Sequence, residues 1–284
     1  MFVINGATGN TGSVVAKTLL SAGKRVRVVV RDAKKAEALA ALGAEVFSAD
    51  IADQQAFERA VTGAEGVYFL SPPDMTAKSF IADRKLLTEK QVATLARAKV
   101  PHVVLLSSIG AQHATGTGPI LTVHNVEQQL RGAGLASTFV RAAYFVENWG
   151  AVVHPVKQDG VLPTFIAAAR PTTMVSTVDI GKTAAQALLD GPRGTRIIEL
   201  AGPTDPTPAD VAATFSKLLG RPVKTVEAPL AAVVPTFTSF GISQNIAELF
   251  QQMYEAIAAG KVEPEGQLVR GTTPLEQTLR GLLG

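Results

Sequence analysis

Apolar and polar positions follow two alternating periods through the first half of the chain. FVIN (Phe2 to Asn5) is a short apolar run that predicts a strand. A glycine turn follows, and Ser13 to Ala22 then carries Val14, Val15, Thr18 and Leu19 on one helical stripe that Gly23 ends. RVRVVV (Arg25 to Val30) is β-branched and predicts a second strand, with an alanine-rich helix over Ala33 to Ala41 stopped at Gly43. The rhythm repeats with a strand at Glu45 to Ser48 and a helix at Gln54 to Val61. GVYFL (Gly66 to Leu70) is a fourth strand, broken by Pro72 and Pro73; Lys78 to Ala98 is a long helix, and HVVLLSS (His102 to Ser108) a fifth strand.

The pattern loosens after that. Val123 to Arg131 predicts a helix and Ala136 to Arg141 a strand. Pro155, Gly160, Pro163 and Pro171 then punctuate a stretch that predicts irregular structure. Further on come a helix over Val178 to Leu189, a strand at IIELAG, a helix over Pro208 to Leu219 entered from Thr207, and a late helix over Ile242 to Ala259. Strands that are near-continuous apolar runs, alternating with helices, are buried on both faces of a parallel sheet. The fold class is therefore α/β: a Rossmann-type, doubly wound parallel sheet with a small C-terminal α+β subdomain. Residues 1–150 form the Rossmann-type domain, and 151–284 read as cap elements interleaved with the sheet rather than as an independent domain.

Composition narrows the function classes. The 284 residues are 46% hydrophobic and 18% charged, ordinary for a folded chain. The net charge of +3 comes without a basic run, so no direct nucleic-acid partner is expected. With 0 cysteines, disulfides, thiol catalysis and cysteine-held zinc are excluded. The histidines, His102, His113, His124 and His154, are too scattered to predict a metal site. Met1 leads straight into an apolar strand and no apolar run has the length of a bilayer span, which predicts a cytoplasmic protein without a membrane partner. A homodimer is left open.

The chemistry concentrates in GATGNTG. Gly6 follows the first strand and Gly12 opens the first helix, the context in which glycines allow a tight turn and close backbone approach to a pyrophosphate. Thr8, Gly9, Asn10 and Thr11 complete the loop. The second strand ends at Val30 and Arg31 follows it, a position where a cation accommodates the 2′-phosphate of NADP, with Lys35 as helper. The expected cofactor is NADP(H), with NAD(H) as the alternative. Asp50 and Ile51 follow the third strand and can face the adenine. Leu70 ends the fourth strand and Ser71 and Pro72 follow it, while Ser107 and Ser108 end the fifth, all at the sheet edge where such folds bind ligands.

NGATGNTG, VVVRD, SADIAD, VYFLSPP, VVLLSSIGA and FVRAAYFVENW together resemble the NmrA-like family, an atypical branch of the short-chain dehydrogenase/reductases. The likeness is greatest to its quinone oxidoreductase type-2 and azoreductase-like members. The resemblance implies the glycine loop and Arg31 as cofactor contacts, Ser71 and Pro72 beside the nicotinamide ribose, and Tyr144, Phe145, Glu147 and Asn148 as an aromatic–Glu–Asn signature at the cleft. The superfamily's Tyr-x-x-x-Lys pair is replaced by His124 and Gln128. The expectation that follows is an NADPH-dependent, flavin-independent and metal-free oxidoreductase. It passes hydride to a quinone-like or other electron-poor small molecule, with His124 and Tyr144 as catalytic candidates and Phe145, Trp149, Phe165, Phe237 and Phe240 as apolar cleft material. The alternative is a non-catalytic NADP(H) sensor that binds a partner protein.

Overall fold

Eight parallel strands run through the computed structural model, which describes residues 1–284. In chain order the first half builds β1 (Phe2–Asn5), α1 (Asn10–Ser21), β2 (Val26–Val30), α2 (Glu37–Ala40), β3 (Glu45–Ser48), α3 (Gln54–Val61), β4 (Gly66–Phe69), α4 (Phe80–Arg97), β5 (Val103–Ser108), α5 (Leu121–Gly132) and β6 (Ser137–Ala142). The second half adds β7 (Tyr144–Phe145), α6 (Val153–Asp159), β8 (Val161–Thr164), β9 (Met174–Val175), α7 (Thr177–Asp190), β10 (Thr195–Ala201) and α8 (Pro208–Leu219). It ends with β11 (Lys224–Glu227), α9 (Val233–Ser239), α10 (Gln244–Ala258), β12 (Val269–Arg270) and α11 (Leu275–Leu283). The sheet order is β3-β2-β1-β4-β5-β6-β10-β12. Order reverses at β1, where Ile4 lies opposite Val28 on one side and Tyr68 on the other.

Both faces of the sheet are covered, as continuous apolar strands require. Val15, Leu19, Ile180 and Ala184 of α1 and α7 pack on Ile4, Val28, Tyr68 and Val104. Phe57, Leu95, Val126 and Leu130 of α3, α4 and α5 pack on Val3, Val67, Leu105 and Phe139 from the opposite face. A third core of Trp149, Val156, Leu162, Val211, Phe215 and Leu279 belongs to the C-terminal elements. Two short parallel pairs, β8 with β11 and β7 with β9, stand outside the main sheet.

The stretch predicted to be irregular contains α6 and β8. Pro155 sits in the first turn of α6, where its missing N–H costs no hydrogen bond. Pro163 sits in a two-stranded ribbon, whose outer edge needs no donor. The Thr207 entry to α8 is a reciprocal capping box with Asp210.

A buried ionic cluster joins the two halves. Arg141 on β6 donates to Glu127 on α5 through two nitrogens, at 3.0 and 2.8 Å, and Ser107 donates to the same carboxylate at 2.6 Å. The third guanidinium nitrogen donates to Glu265 at 2.9 Å. Glu199 on β10 accepts the backbone N–H groups of Glu265 and Gly266, the latter at 2.7 Å. Glu127 is fully buried, so removal of its cation strands a charge in the core. Arg141→Met is expected to lose about 3–5 kcal/mol of folding stability. Denaturant unfolding checks this through a lowered midpoint at unchanged slope.

Candidate active site

The carboxyl ends of β1 and β4 flank the crevice at which strand order reverses, the place where an open α/β sheet receives ligands. Asn5 closes its floor. This fully buried amide donates to the Leu70 carbonyl at 2.7 Å and accepts the Leu70 N–H at 2.9 Å. The pair fixes where the loop after β4 begins. Sequence pattern does not single out Asn5; its one signal is a polar residue closing an otherwise apolar strand ahead of Gly6.

Gly6 turns the chain at φ +64, and a Cβ there would lie 2.7 Å from the Leu70 side chain. A Cβ on Gly12 would lie 2.3 Å from the Gly6 carbonyl oxygen, so the helix can start against the strand end only with glycine there. Helix α1 begins at Asn10, not at Ser13 as its apolar stripe predicts, so the end of the loop is the helix's first turn. Gly9 at its N-cap brings no side-chain cap, and no acidic residue sits in that turn. The unpaired N–H groups and the positive end of the helix are left to an anion. Thr8, Gly9 and Asn10 are exposed around this turn. Thr11 is not: its hydroxyl accepts from the buried Tyr68 at 2.9 Å and holds β4 instead.

Arg31 and Lys35 are exposed beyond the end of β2, while Asp32 caps the short turn Ala33–Ala36 by accepting the Lys34 N–H at 3.0 Å. Asp50 accepts the Ala52 N–H at 2.9 Å, and Ile51 packs on the second core. Past β4, the Ser71 hydroxyl oxygen is buried without a partner, and the Pro72 carbonyl accepts from Arg84 at 2.7 Å. An uncapped helix start, a glycine contact with no room for Cβ and the orphaned Ser71 hydroxyl fit the phosphates and ribose of a dinucleotide.

A cavity of about 230 Å³ opens at the same sheet edge, between the ends of β5 and β6 and helix α10. Ile109, Ile120, Phe145, Phe250 and Met253 form its apolar walls, with Ser108, Asn148, Arg170 and Glu263 as polar points. Side chains alternate along β5, so Ser107 faces Glu127 under α5 and Ser108 lines the cavity. Of the two strand-end serines it is Ser108 that lines the cavity, while Ser107, expected as a cofactor contact, is turned away to Glu127.

Tyr144 lines the cavity. Burial and the neighbouring Tyr254 hydroxyl push its phenol well above the ordinary tyrosine range, against a smaller opposing hydrogen bond with Asn148. Trp149 packs against it with ring centroids 6.1 Å apart. Glu147 lies elsewhere: one of its oxygens accepts the Thr177 N–H at 2.9 Å and both the Ser176 and Thr177 hydroxyls, anchoring the start of α7. His124 does not line the cavity; its Nδ1 meets the Ala111 carbonyl at 2.7 Å, which fixes the ring to the preceding loop. Phe165 and Phe237 stack behind the wall, on Tyr254 and Phe250 respectively. Phe240 is 77% exposed in the turn between α9 and α10 and is not cleft material. No group of three His, Asp or Glu is placed to hold a metal ion, and no helix is long and apolar enough to cross a membrane.

A family model described as the NmrA-like family matches residues 1–276. The chain belongs to the NmrA-like family. Among its relatives, the NAD(P)H azoreductase of Xenophilus azovorans is 25% identical over 89% of this chain and 86% of its own. Quinone oxidoreductase 2 of Escherichia coli K12 is 25% identical over 88% of this chain and 85% of its own. The crystal structure of the E. coli NADPH-dependent quinone oxidoreductase QOR2 complexed with NADPH superposes with a TM-score of 0.82, at 24% identity and over 100% of both chains.

The chain has three tyrosines, and all three are raised: Tyr68 and Tyr254 chiefly by burial, as is Tyr144. The unfolded chain ionises them near pH ~10 while the fold keeps them neutral. Above that pH the native state holds more protons, so stability falls as pH rises further. Ultraviolet titration is expected to show tyrosinate forming above the ordinary midpoint in the folded protein, with the remainder appearing on alkaline unfolding.

Proposed function

We propose that this protein is an NADPH-dependent oxidoreductase of the quinone reductase and azoreductase type, acting on a flat, electron-poor small molecule. The observation that carries the reading is that the dinucleotide loop and the apolar cavity open on the same carboxyl edge of the sheet. Bound NADPH supplies the hydride. The first turn of α1, with Thr8 and Asn10 beside it, holds the pyrophosphate, while Arg31 and Lys35 receive the 2′-phosphate. Asp50 and Ile51 flank the adenine, and Leu70, Ser71 and Pro72 border the nicotinamide ribose. Ile109, Phe145, Phe250 and Met253 exclude water and orient the acceptor ring, which is catalysis by positioning. An electron-poor ring accepts hydride without a strong protein acid. Tyr144 Oη keeps its proton throughout the working pH range and can donate a hydrogen bond to an oxygen that gains charge. With the His124 ring fixed on the Ala111 carbonyl, that role falls to Tyr144.

Two measurements test the reading. Purified protein mixed with NADPH and a panel of quinones and azo dyes is expected to oxidise the cofactor faster than the uncatalysed rate. Tight NADPH binding without turnover across the panel would return the sensor reading. Arg31→Ala is expected to weaken NADPH binding by about 10–100-fold, the loss of a charge-assisted phosphate contact, and to leave NADH nearly unchanged. Equal losses for both cofactors would remove Arg31 from the 2′-phosphate.

A further inference from the structure

Helix α10 forms one wall of the cavity through Phe250, Met253 and Ile257, and the structure holds it in three places. At its start, the Ser243 N–H donates to the Met75 carbonyl at 3.0 Å and the Ser243 hydroxyl to the Ala77 carbonyl at 2.6 Å. Asn245 accepts the Phe80 N–H at 2.9 Å in the same region. At its end, Arg170 donates to the Ala258 carbonyl at 3.2 Å, and the His113 ring meets the Lys261 carbonyl at 2.9 Å. Between these clasps the helix backbone rests on Gly118. A Cβ on Gly118 would lie 2.0 Å from the Leu249 carbonyl oxygen and 3.0 Å from the Met253 nitrogen. Gly118 also has φ +59, which disfavours side chains other than glycine. Two residues on, Ile120 also lines the cavity. The spacing between α10 and the turn that carries Ile120 is thus set where backbone meets backbone, at a contact with no side chain that could swing aside.

We propose that Gly118 sets the width of the acceptor cavity, and so limits the acceptor to one or two fused rings. This rests on the reading of the cavity as the acceptor site. Its volume, about 230 Å³, lies below the roughly 300–1,000 Å³ of pockets for drug-sized ligands. The limiting wall is a helix clasped at both ends, so a wider acceptor has to displace the whole helix. A residue at 118 with a Cβ moves α10 away from Ile120 and admits a broader ring system.

Trp149, the chain's one tryptophan, packs on Tyr144 and gives a binding signal that needs no hydride transfer. The full chain with NADP⁺ present is titrated with menadione, which has two fused rings, and with anthraquinone-2-sulfonate, which has three, following Trp149 fluorescence. The variants are Gly118→Ala and Gly116→Ala. Gly116 has φ +79, but its Cβ would meet only the Lys261 ammonium at 3.8 Å, so it carries the backbone strain without touching α10. The wild type is expected to bind the three-ring compound at least about tenfold more weakly, the scale of one methylene's room in an apolar pocket. Gly118→Ala closes that gap and Gly116→Ala keeps it. A gap that persists in folded Gly118→Ala, that closes equally in Gly116→Ala, or that is absent in the wild type overturns the proposal. Where Gly118→Ala fails to fold, Met253→Ala widens the cavity from the α10 side; an unchanged gap there overturns it as well. If the size order is found but no quinone is reduced by NADPH, the oxidoreductase reading fails and the width gauge stands.

Discussion

The two hydrogen bonds between the Asn5 amide and the Leu70 peptide hold the point from which the rest of the site is laid out. They join the ends of β1 and β4, the two strands at which the sheet changes direction. With that edge fixed, Gly6 can turn against Leu70, Gly12 can approach Gly6, and α1 can begin at the strand edge with its first turn uncapped. A buried side-chain amide with both its functions satisfied is a rigid joint, because breaking either bond leaves a polar group without a partner or water. The loop that carries Ser71 and Pro72 starts from the same joint.

The C-terminal half works by a different principle. It has its own small core, but its contribution to the site comes from long-range clasps between polar groups. Glu199 grips the backbone at Glu265 and Gly266, next to Val262 and Glu263 in the cavity wall. Arg141 links that grip to Glu127 and Ser107 beneath the sheet edge. The walls of the cavity are therefore referred back to the central sheet through buried charge, where both geometry and pairing are demanding.

The elements of the first half were legible in the sequence because burial on both faces makes each parallel strand a short apolar run with a glycine or polar break after it. The glycine loop could be read from its context, and the entry to α8 from Thr207 and Pro208. What remained hidden depends on single-residue register or on distant contacts. Ser107 and Ser108 are adjacent in sequence yet point to opposite faces, and only the completed sheet decides which meets the cavity. The ribbon of β8 and β11 and the helix α6 carry prolines that read as breakers, and they are tolerated because of an edge and a first turn. Phe240 looks like cleft material by type, but it sits at a helix-to-helix turn facing solvent. Gly118 is one glycine among 25, and its meaning rests on Leu249, far along the chain.

The clasp between Phe80 and Asn245 spans 165 residues of sequence, and that between Arg141 and Glu265 spans 124. Contacts so remote carry a loop-closure cost that local pairings do not, and chains rich in them fold slowly. As the chain leaves the ribosome, the glycine loop and the strands around it are synthesised first. The helix that walls the cavity arrives only with the final fifth of the chain. A nascent chain arrested before that point holds a complete glycine loop beside an unwalled sheet edge.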